Sequence, residues 1–470
     1  INKNGVQGSA VLGLYQTSNR NIMNYDQIVN LNGAVELSES LDLDFLVGAN
    51  LKSRDYELSQ ISSSDMFIFG FFDHANFTTT VANTYVSREN TYGAFANLTL
   101  GYNDWGFLTA SARNDWTSTL EPENRSFLYP SVSLSVLPFE ALSINNQNLN
   151  FLKVRFGFGT SAGYPPPYST RGSLATATNV FQTGGGITLN TNAVSNFYAN
   201  PALTPEIHKE LELGIEAKFL KNRVGVDISL FDKDSEDLII DLDLDNSTGY
   251  SSSTVNSASI NNKGVEAIIN FVPVQSRDFT WDVTGTFALL RSEVISIADG
   301  IDQIYVGGYV GRGNIAIPGL PYGILEGEVI TRDYGALDGT DHTQVHWDDR
   351  TGYTPIVNAN GGYQFLGYGI IGNPQPDYIY SVTNSLTYKW VNLRVQFDSQ
   401  VGGDVFSTTN STLLGRGILQ ETDFDRFVPV VTNGLTADGT ANIKQTTANA
   451  HYWPNTGVFY DENSVYDASV

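Results

Sequence analysis

Apolar and polar residues alternate along much of this chain. In Tyr378–Lys389 and the residue after it, Leu386, Tyr388 and Trp390 share one face, while Thr387 and Lys389 take the other. Beyond a tight turn, Leu393, Val395 and Phe397 oppose Arg394, Gln396 and Asp398. A period of two puts successive side chains on opposite faces of a strand. The same signal predicts earlier strands at Val6–Gln16, Ile28–Ser38, Leu41–Lys52, Thr91–Tyr102, Trp105–Asn114, Phe127–Leu137 and Asn150–Thr160. It continues through Ile207–Phe219, Arg223–Lys233, Asn262–Val272, Phe279–Arg291, Tyr378–Lys389 and Val391–Val401. Soluble sandwiches and membrane barrels both use such hairpins, so alternation alone leaves both open.

The connections discriminate between them. Tight turns are expected at Ser38–Ser40, Asn103–Asp104, Leu220–Asn222, Pro273–Asp278 and Trp390. Long links are expected at Ser53–Asn90, Ser161–Glu206, Asp234–Asn261, Ser292–Asp377 and Gly402–Ser464, with Pro138–Leu149 intermediate. Long and short links largely alternate, and in an antiparallel meander alternate links fall at opposite ends. Sorting of this kind marks an outer-membrane barrel with short periplasmic turns and long extracellular loops. The expected fold is therefore all-β, an antiparallel transmembrane β-barrel.

Within that fold the polar face is expected to line a wet lumen. Arg155, Asp282, Arg394, Gln396 and Asp398 are the lumen-lining candidates, alongside Lys153, Glu212, Glu216 and Asp227. The opposite face (Leu152, Val154, Phe156; Val224, Val226, Ile228; Trp281, Val283, Phe287) is expected to meet lipid. Trp105, Tyr388 and Trp390, near strand ends, suit an interfacial aromatic girdle.

Composition narrows the function classes. Only 16% of the 470 residues are charged, 12% are aromatic, and the net charge is −24. Such an acidic chain is a poor match for nucleic-acid phosphates. With no cysteine, there is no disulfide framework, thiolate zinc site or cysteine nucleophile. No apolar run reaches the roughly 18 residues of a membrane helix, which says nothing against strands. The start INKNGVQGSA lacks the pattern of a signal peptide.

Several stretches go beyond architecture. Asn200–Ile239 (NPALTPEIHKELELGIEAKFLKNRVGVDISLFDKDSEDLI), Ser247–Val283, Arg113–Pro138, Leu320–Val329, Thr422–Pro429 and the IGNPQPDY…LTYKW…GGDVF stretch occur in a family's order. They resemble the SusC/RagA family of TonB-dependent outer-membrane transporters. The resemblance implies a barrel of about 22 strands, an N-terminal plug domain with a TonB box, and a SusD-like surface lipoprotein over the mouth. It also implies glycan, oligosaccharide or peptide import, energised through the TonB complex. No plug or TonB box is visible before Ile1, and the chain ends at VYDASV, so residues 1–470 are expected to be an internal, partial barrel domain. The expected setting is the outer membrane of a Gram-negative bacterium, with its lipids as partners.

Other motifs carry less. Asp241, Asp243 and Asp245 space like a calcium loop, but Asn246 and Ser252 stand where Gly and Glu are required. His342 and His346, beside Asp341, Asp348 and Asp349, lack the HExxH pattern. The glycines of Gly157–Gly163 form no GxGxxG, and no Ser/His/Asp set is evident, so neither an enzyme nor a resident cofactor is expected. Tyr164, Pro165–Pro167, Tyr168 and Arg171 form an aromatic, proline-stiffened patch suited to substrate or partner contact. Import is the leading reading. A barrel that only scaffolds surface lipoproteins or secretion-linked assembly is the alternative, and a soluble carbohydrate-binding β protein a third.

Overall fold

In the computed structural model, residues 13–470 are described except 145, 147, 183–187, 310, 334–353, 417, 419, 421–422, 424, 426–427 and 448–464. The main sheet is built from β1 (Leu14–Ser38), β2 (Leu41–Met66), β3 (Phe77–Tyr102), β4 (Gly106–Thr117), β5 (Ser126–Val136) and β6 (Leu149–Gly163). After β7 (Leu174–Gln182), β8 (Thr188–Val194) and β9 (Phe197–Tyr198) come β10 (Glu206–Phe219), β11 (Val224–Asp243), β12 (Ser252–Gln275) and β13 (Phe279–Ser296). A smaller sheet of β14 (Ile304–Tyr309), β15 (Arg312–Ala316), β16 (Ile324–Ile330) and β19 (Phe365–Gly372) follows, with β17 (Arg332–Asp333) paired to β18 (Thr354–Pro355). β20 (Tyr378–Tyr388) and β21 (Val391–Val401) then complete the main sheet, whose neighbours run β1-β2-β3-β4-β5-β6-β10-β11-β12-β13-β20-β21, with β9 added beside β12. The all-β expectation holds, and each predicted strand from Ile28 onward falls inside an observed one or overruns it by a single residue, as at Trp105, Leu137, Arg223 and Lys389.

Two corrections have one physical cause. The described part of Val6–Gln16 and the strand at Ile28–Ser38 belong to a single strand, β1. The links expected at Ser53–Asn90 and Asp234–Asn261 are mostly strand: β2 and β3 each run 26 residues, leaving a connection of only Phe67–Asn76, and β11 and β12 leave Leu244–Ser251. A bilayer takes roughly 9–11 residues of tilted strand. Beyond that band both faces meet water, so no apolar face remains to alternate, and the residues read as loop while still pairing as sheet.

Tight turns close the opposite end. Asn103 and Asp104 (φ 46° and 58°), the run Leu220–Lys221–Asn222 (51°, 59°, 64°) and Lys389 (52°) sit in the left-handed region. Two-residue hairpin loops demand that conformation, and Asn and Asp adopt it at low cost. At the first of these turns Tyr102 meets Trp105 edge to face at 5.4 Å, and at the last stand Tyr388 and Trp390, the latter 91% exposed.

The chain divides into two compact units, Ile1–Ser133 with Gly159–Ile207 and Asp237–Asn256, and Leu134–Phe158 with His208–Glu236 and Ser257–Val470. In the first, β1 pairs with β2 from Leu14↔Ser64 through Ser38↔Leu41 with one irregularity between Glu36 and Ser38, and β2 pairs with β3 without a shift from Leu41↔Tyr102 through Met66↔Phe77. In the second, the link expected at Ser292–Asp377 carries the small sheet, which holds dry cores: Ile315, Ile324 and Ile370 form one, and Leu325, Val329 and Ile371 another, packed by Phe406 and Val465. Glu326, buried in β16 opposite Gly313 of β15, accepts from Gln303 Nε2 (3.0 Å), Tyr305 Oη (2.7 Å) and the Gly311 amide (2.8 Å), so both its carboxylate oxygens are partnered.

Candidate functional site

Register in the second unit puts four of the five lumen candidates on one face. Asp282 pairs with Ser385, which pairs with Arg394; Thr284–Thr383–Gln396 and Thr286–Ser381–Asp398 follow at two-residue steps. Thr286 and Ser381 hydroxyls meet at 2.8 Å, and Gln396 Nε2 donates to Asp398 Oδ1 at 2.8 Å. Period two sends the neighbouring residues to the other face, where Val283, Phe287, Val382, Leu386, Leu393, Val395 and Phe397 stand with Gly285 and one polar residue, Asn384, which accepts from Trp281 Nε1 at 3.2 Å. Several are strongly exposed, Phe397 at 65% and Leu393 at 55%. A wide apolar face open to its surroundings is what a lipid-facing wall presents.

Arg155, the fifth candidate, lies in the same unit and is enclosed by acceptors. Its Nη2 donates to Asp227 Oδ1 and Ser229 Oγ, each at 2.6 Å, and its Nε to Glu212 Oε1 at 3.4 Å. The side chain lies across Gly214, where a Cβ would collide with the guanidinium stem. Two carboxylates therefore neutralise Arg155. Arg394 has no such partner among the described residues, so the two arginines are not equivalent.

The loop candidates fall in the first unit and separate. The Tyr164 hydroxyl is sealed from solvent without a well-formed hydrogen bond. Burial first, then the nearby Asp115 charge, pushes its pKa up. It joins a network that alternation did not single out: Arg113 Nε donates to Tyr129 Oη (2.8 Å), Arg113 Nη2 contacts Asn50 Oδ1 and Asp115 Oδ1 (2.7 Å each), and Tyr129 donates to Asp115 Oδ2. Tyr164 thus packs inward rather than offering itself as a contact. Tyr168 remains 54% exposed at φ 71°, its hydroxyl accepting from the Arg88 amide at 3.3 Å. Arg171 grips Glu121 through two bonds of 2.7 Å, which holds the Glu121 pKa down at about 2. Only Tyr168 of the three presents an uncommitted surface.

The asparagines that organise these loops carried a sequence signal only as parts of the family-like stretches, Asn124 in Arg113–Pro138, Asn200 in Asn200–Ile239 and Asn256 in Ser247–Val283. Asn200 Nδ2 donates to Thr254 O (3.0 Å), while Asn256 accepts from the Thr204 amide (2.9 Å) and donates to Thr204 O and Asp237 O (2.9 Å each). Asn124 reaches Leu203 O at 3.0 Å. Buried backbone groups require such partners, so three side chains weld Leu203, fully buried, to neighbouring segments. At the β2–β3 tip, Asn76 plays the same part: it accepts from the Ile68 amide (3.0 Å) and donates to Ile68 O and Phe71 O (2.7 Å each). That fixes Phe67, Ile68, Phe69, Phe71 and Phe72 in the open, at 49–67% exposure.

Asp241 accepts from Thr254, and Asp245 caps a short helical turn, accepting from the Ser247 amide at 2.7 Å. These local roles account for both acids without calcium. Among the described residues no group of three or more His, Asp or Glu converges on a metal position. His342, His346, Asp341, Asp348 and Asp349 lie outside the described residues.

Comparison with known proteins accords with the antiparallel sheet. A profile described as TonB dependent receptor-like, beta-barrel matches residues 2–365. The chain belongs to this family. TonB-dependent receptor P26 of Formosa agariphila is 24% identical over 387 residues, covering 79% of this chain and 38% of that protein. SusC of Bacteroides thetaiotaomicron is 25% identical, covering 49% of this chain and 24% of its own length. The RagAB peptide transporter superposes with a TM-score of 0.71 at 16% identity, covering 97% of this chain and 48% of that one. The SusC/RagA resemblance expected from the sequence is borne out. This TonB-dependent receptor chain spans less than half the length of each of these relatives, and its family is one of outer-membrane β-barrel transporters and receptors, not enzymes.

Proposed function

We propose that this chain forms part of the barrel wall of a SusC-like importer in the outer membrane of a Gram-negative bacterium. The importer works with a SusD-like lipoprotein at its mouth and draws energy from the TonB complex through a plug domain. The observation that carries this reading is the division of one sheet unit into an exposed apolar face and a polar ladder running through Asp282, Gln396, Arg394 and Asp398. The apolar face suits lipid and the ladder a wet lumen. Arg155, held between Asp227 and Glu212, adds a polar but charge-compensated group to that lumen.

The cargo is too large for a simple porin, a glycan, oligosaccharide or peptide. Similarity to a solved peptide transporter favours a peptide here. Tyr168 and the fixed Phe67–Phe72 tip are the loop groups best placed to touch cargo or lipoprotein.

Deletion of the full-length gene tests the reading. Growth on peptide as sole nitrogen source should fall and return on complementation. If uptake of peptides and oligosaccharides alike is unchanged, while lipoproteins are lost from the surface, the barrel is a scaffold instead. Recovery of the full-length protein from the soluble fraction without detergent would remove the membrane assignment altogether.

A further inference from the structure

A cavity of about 300 Å³ opens on the polar face of the second unit, lined by Phe231, Glu266, Ala288, Leu290, Pro376 and Ile379. Register explains why these residues meet. Glu266 pairs with Ala288, and Ala288 pairs with Ile379, so three strands contribute adjacent positions on one face. Gly264, two residues before Glu266, lets the Phe231 ring lie flat on the backbone; a Cβ there would overlap the ring. On the far side Arg291 Nη1 donates to Pro376 O (3.2 Å) and Asp377 O (3.1 Å), and the Ser292 amide donates to Gln375 Oε1 (3.3 Å). The Gln375–Pro376 segment is thereby pinned over the sheet as a wall. The cavity is preformed.

Its one charged group, Glu266, faces solvent, unpaired among the described residues. The walls are hydrocarbon, yet the Glu266 carboxylate has neither hydrogen-bond nor ion-pair partner among the described residues. The nearby cations are engaged elsewhere, Lys263 with Asp232 (3.5 Å) and Arg291 with Asp377 (3.5 Å). A long aliphatic stem ending in a cation satisfies both features at once, the stem against Phe231, Leu290 and Ile379, the charge at Glu266. A sugar would leave the apolar walls uncovered, and an anion would be repelled.

We propose that this cavity is a way-station on the lumen wall for the alkylammonium side chain of a lysine in transit. The lysine assignment rests on the peptide reading above; the preference for a cation rests on the cavity alone.

These 470 residues carry no cysteine, so Ala288→Cys, made in the full-length transporter with its lipoprotein partner and with any cysteine elsewhere replaced by serine, supplies the reporter thiol, and the same complex without Ala288→Cys gives the background to subtract. The thiol's reaction with cationic 2-aminoethyl methanethiosulfonate should be about fivefold faster than with neutral methyl methanethiosulfonate, after correction for free-thiol rates. Adding Glu266→Gln should bring that ratio to one. A Gly-Ser nonapeptide with one central lysine should protect the thiol, while its norleucine counterpart should not. A ratio of one with Glu266 present, or a thiol inert to both reagents, overturns the cavity's preference. Equal protection by both peptides overturns the lysine assignment while leaving peptide import standing. If the fivefold ratio persists but neither peptide binds in fluorescence anisotropy, the peptide reading fails, and the lysine assignment falls with it.

Discussion

Gly93 has no room for a side chain. A Cβ there would overlap Arg113, Asn50 and Asp115 together, so the glycine is what allows their network to close over β3. Gly93→Ala should push these charged groups apart at a half-buried site, a loss of about 1–3 kcal/mol. The gel shift between folded and heat-unfolded protein should then occur at lower temperature. Gly101→Ala is the control: its Cβ would find Phe107 at 3.5 Å and Asp42 at 3.9 Å, ordinary contact distances, and should change little. Glu121 makes a different prediction. Arg171 holds its pKa down at about 2, well below its ordinary 4.5. A depressed carboxylate contributes fully above its unfolded value and loses that contribution as pH falls toward its folded one. Hydrogen-exchange protection around Arg171 should therefore be flat from pH 8 to 5 and disappear only on approach to pH 2. Early loss, near pH 4.5, would show that the pair does not form in solution.

Among elements, the β20–β21 hairpin separates the two faces most cleanly. Phe397→Arg places a cation on the apolar face and should cost about 2–4 kcal/mol if that face meets lipid. Gln396→Arg, one residue away on the ladder, should fold into lipid vesicles as the parent does. Equal folding yields for the two variants would contradict the assignment of faces. The same hairpin was fully legible in the sequence, because Leu393, Val395 and Phe397 contrast with Arg394, Gln396 and Asp398. The hairpin of β2 and β3 was legible only in its lower half. From Ser53 to Asp65 and from Thr78 to Asn90 polar residues occupy both faces, so the pairing leaves no hydrophobic period to read. Its tip depends on Asn76, whose three bonds to Ile68 and Phe71 are invisible to pattern reading. Asn76→Ala should loosen that tip, and chymotrypsin should cut faster after Phe67, Phe69, Phe71 and Phe72 in the otherwise folded protein.

For the molecule as a whole, sorted connections and family-like wording sufficed to place the chain among TonB-dependent receptors. The candidate site was half legible. Alternation put Arg394, Gln396 and Asp398 on the polar ladder, but whether a charged group is free or engaged depends on neighbours remote in sequence. Arg155 meets Asp227 and Arg171 meets Glu121 only once the strands are in register. Cavities suffer the same limit, since Phe231 and Ile379 stand far apart along the chain. The 26-residue strands of β2 and β3 also constrain how such a protein can change its length. One residue added at Gln60 would turn every following side chain to the other face, or leave a bulge to absorb it. Two residues added, with two more opposite at Asn83, would preserve facing and merely raise the tip by about 7 Å. Paired insertions should therefore keep the protein as heat-resistant as its parent, and lone ones should not. Lineages of such proteins would then remodel their outermost surface in even-numbered steps, changing reach more readily than facing.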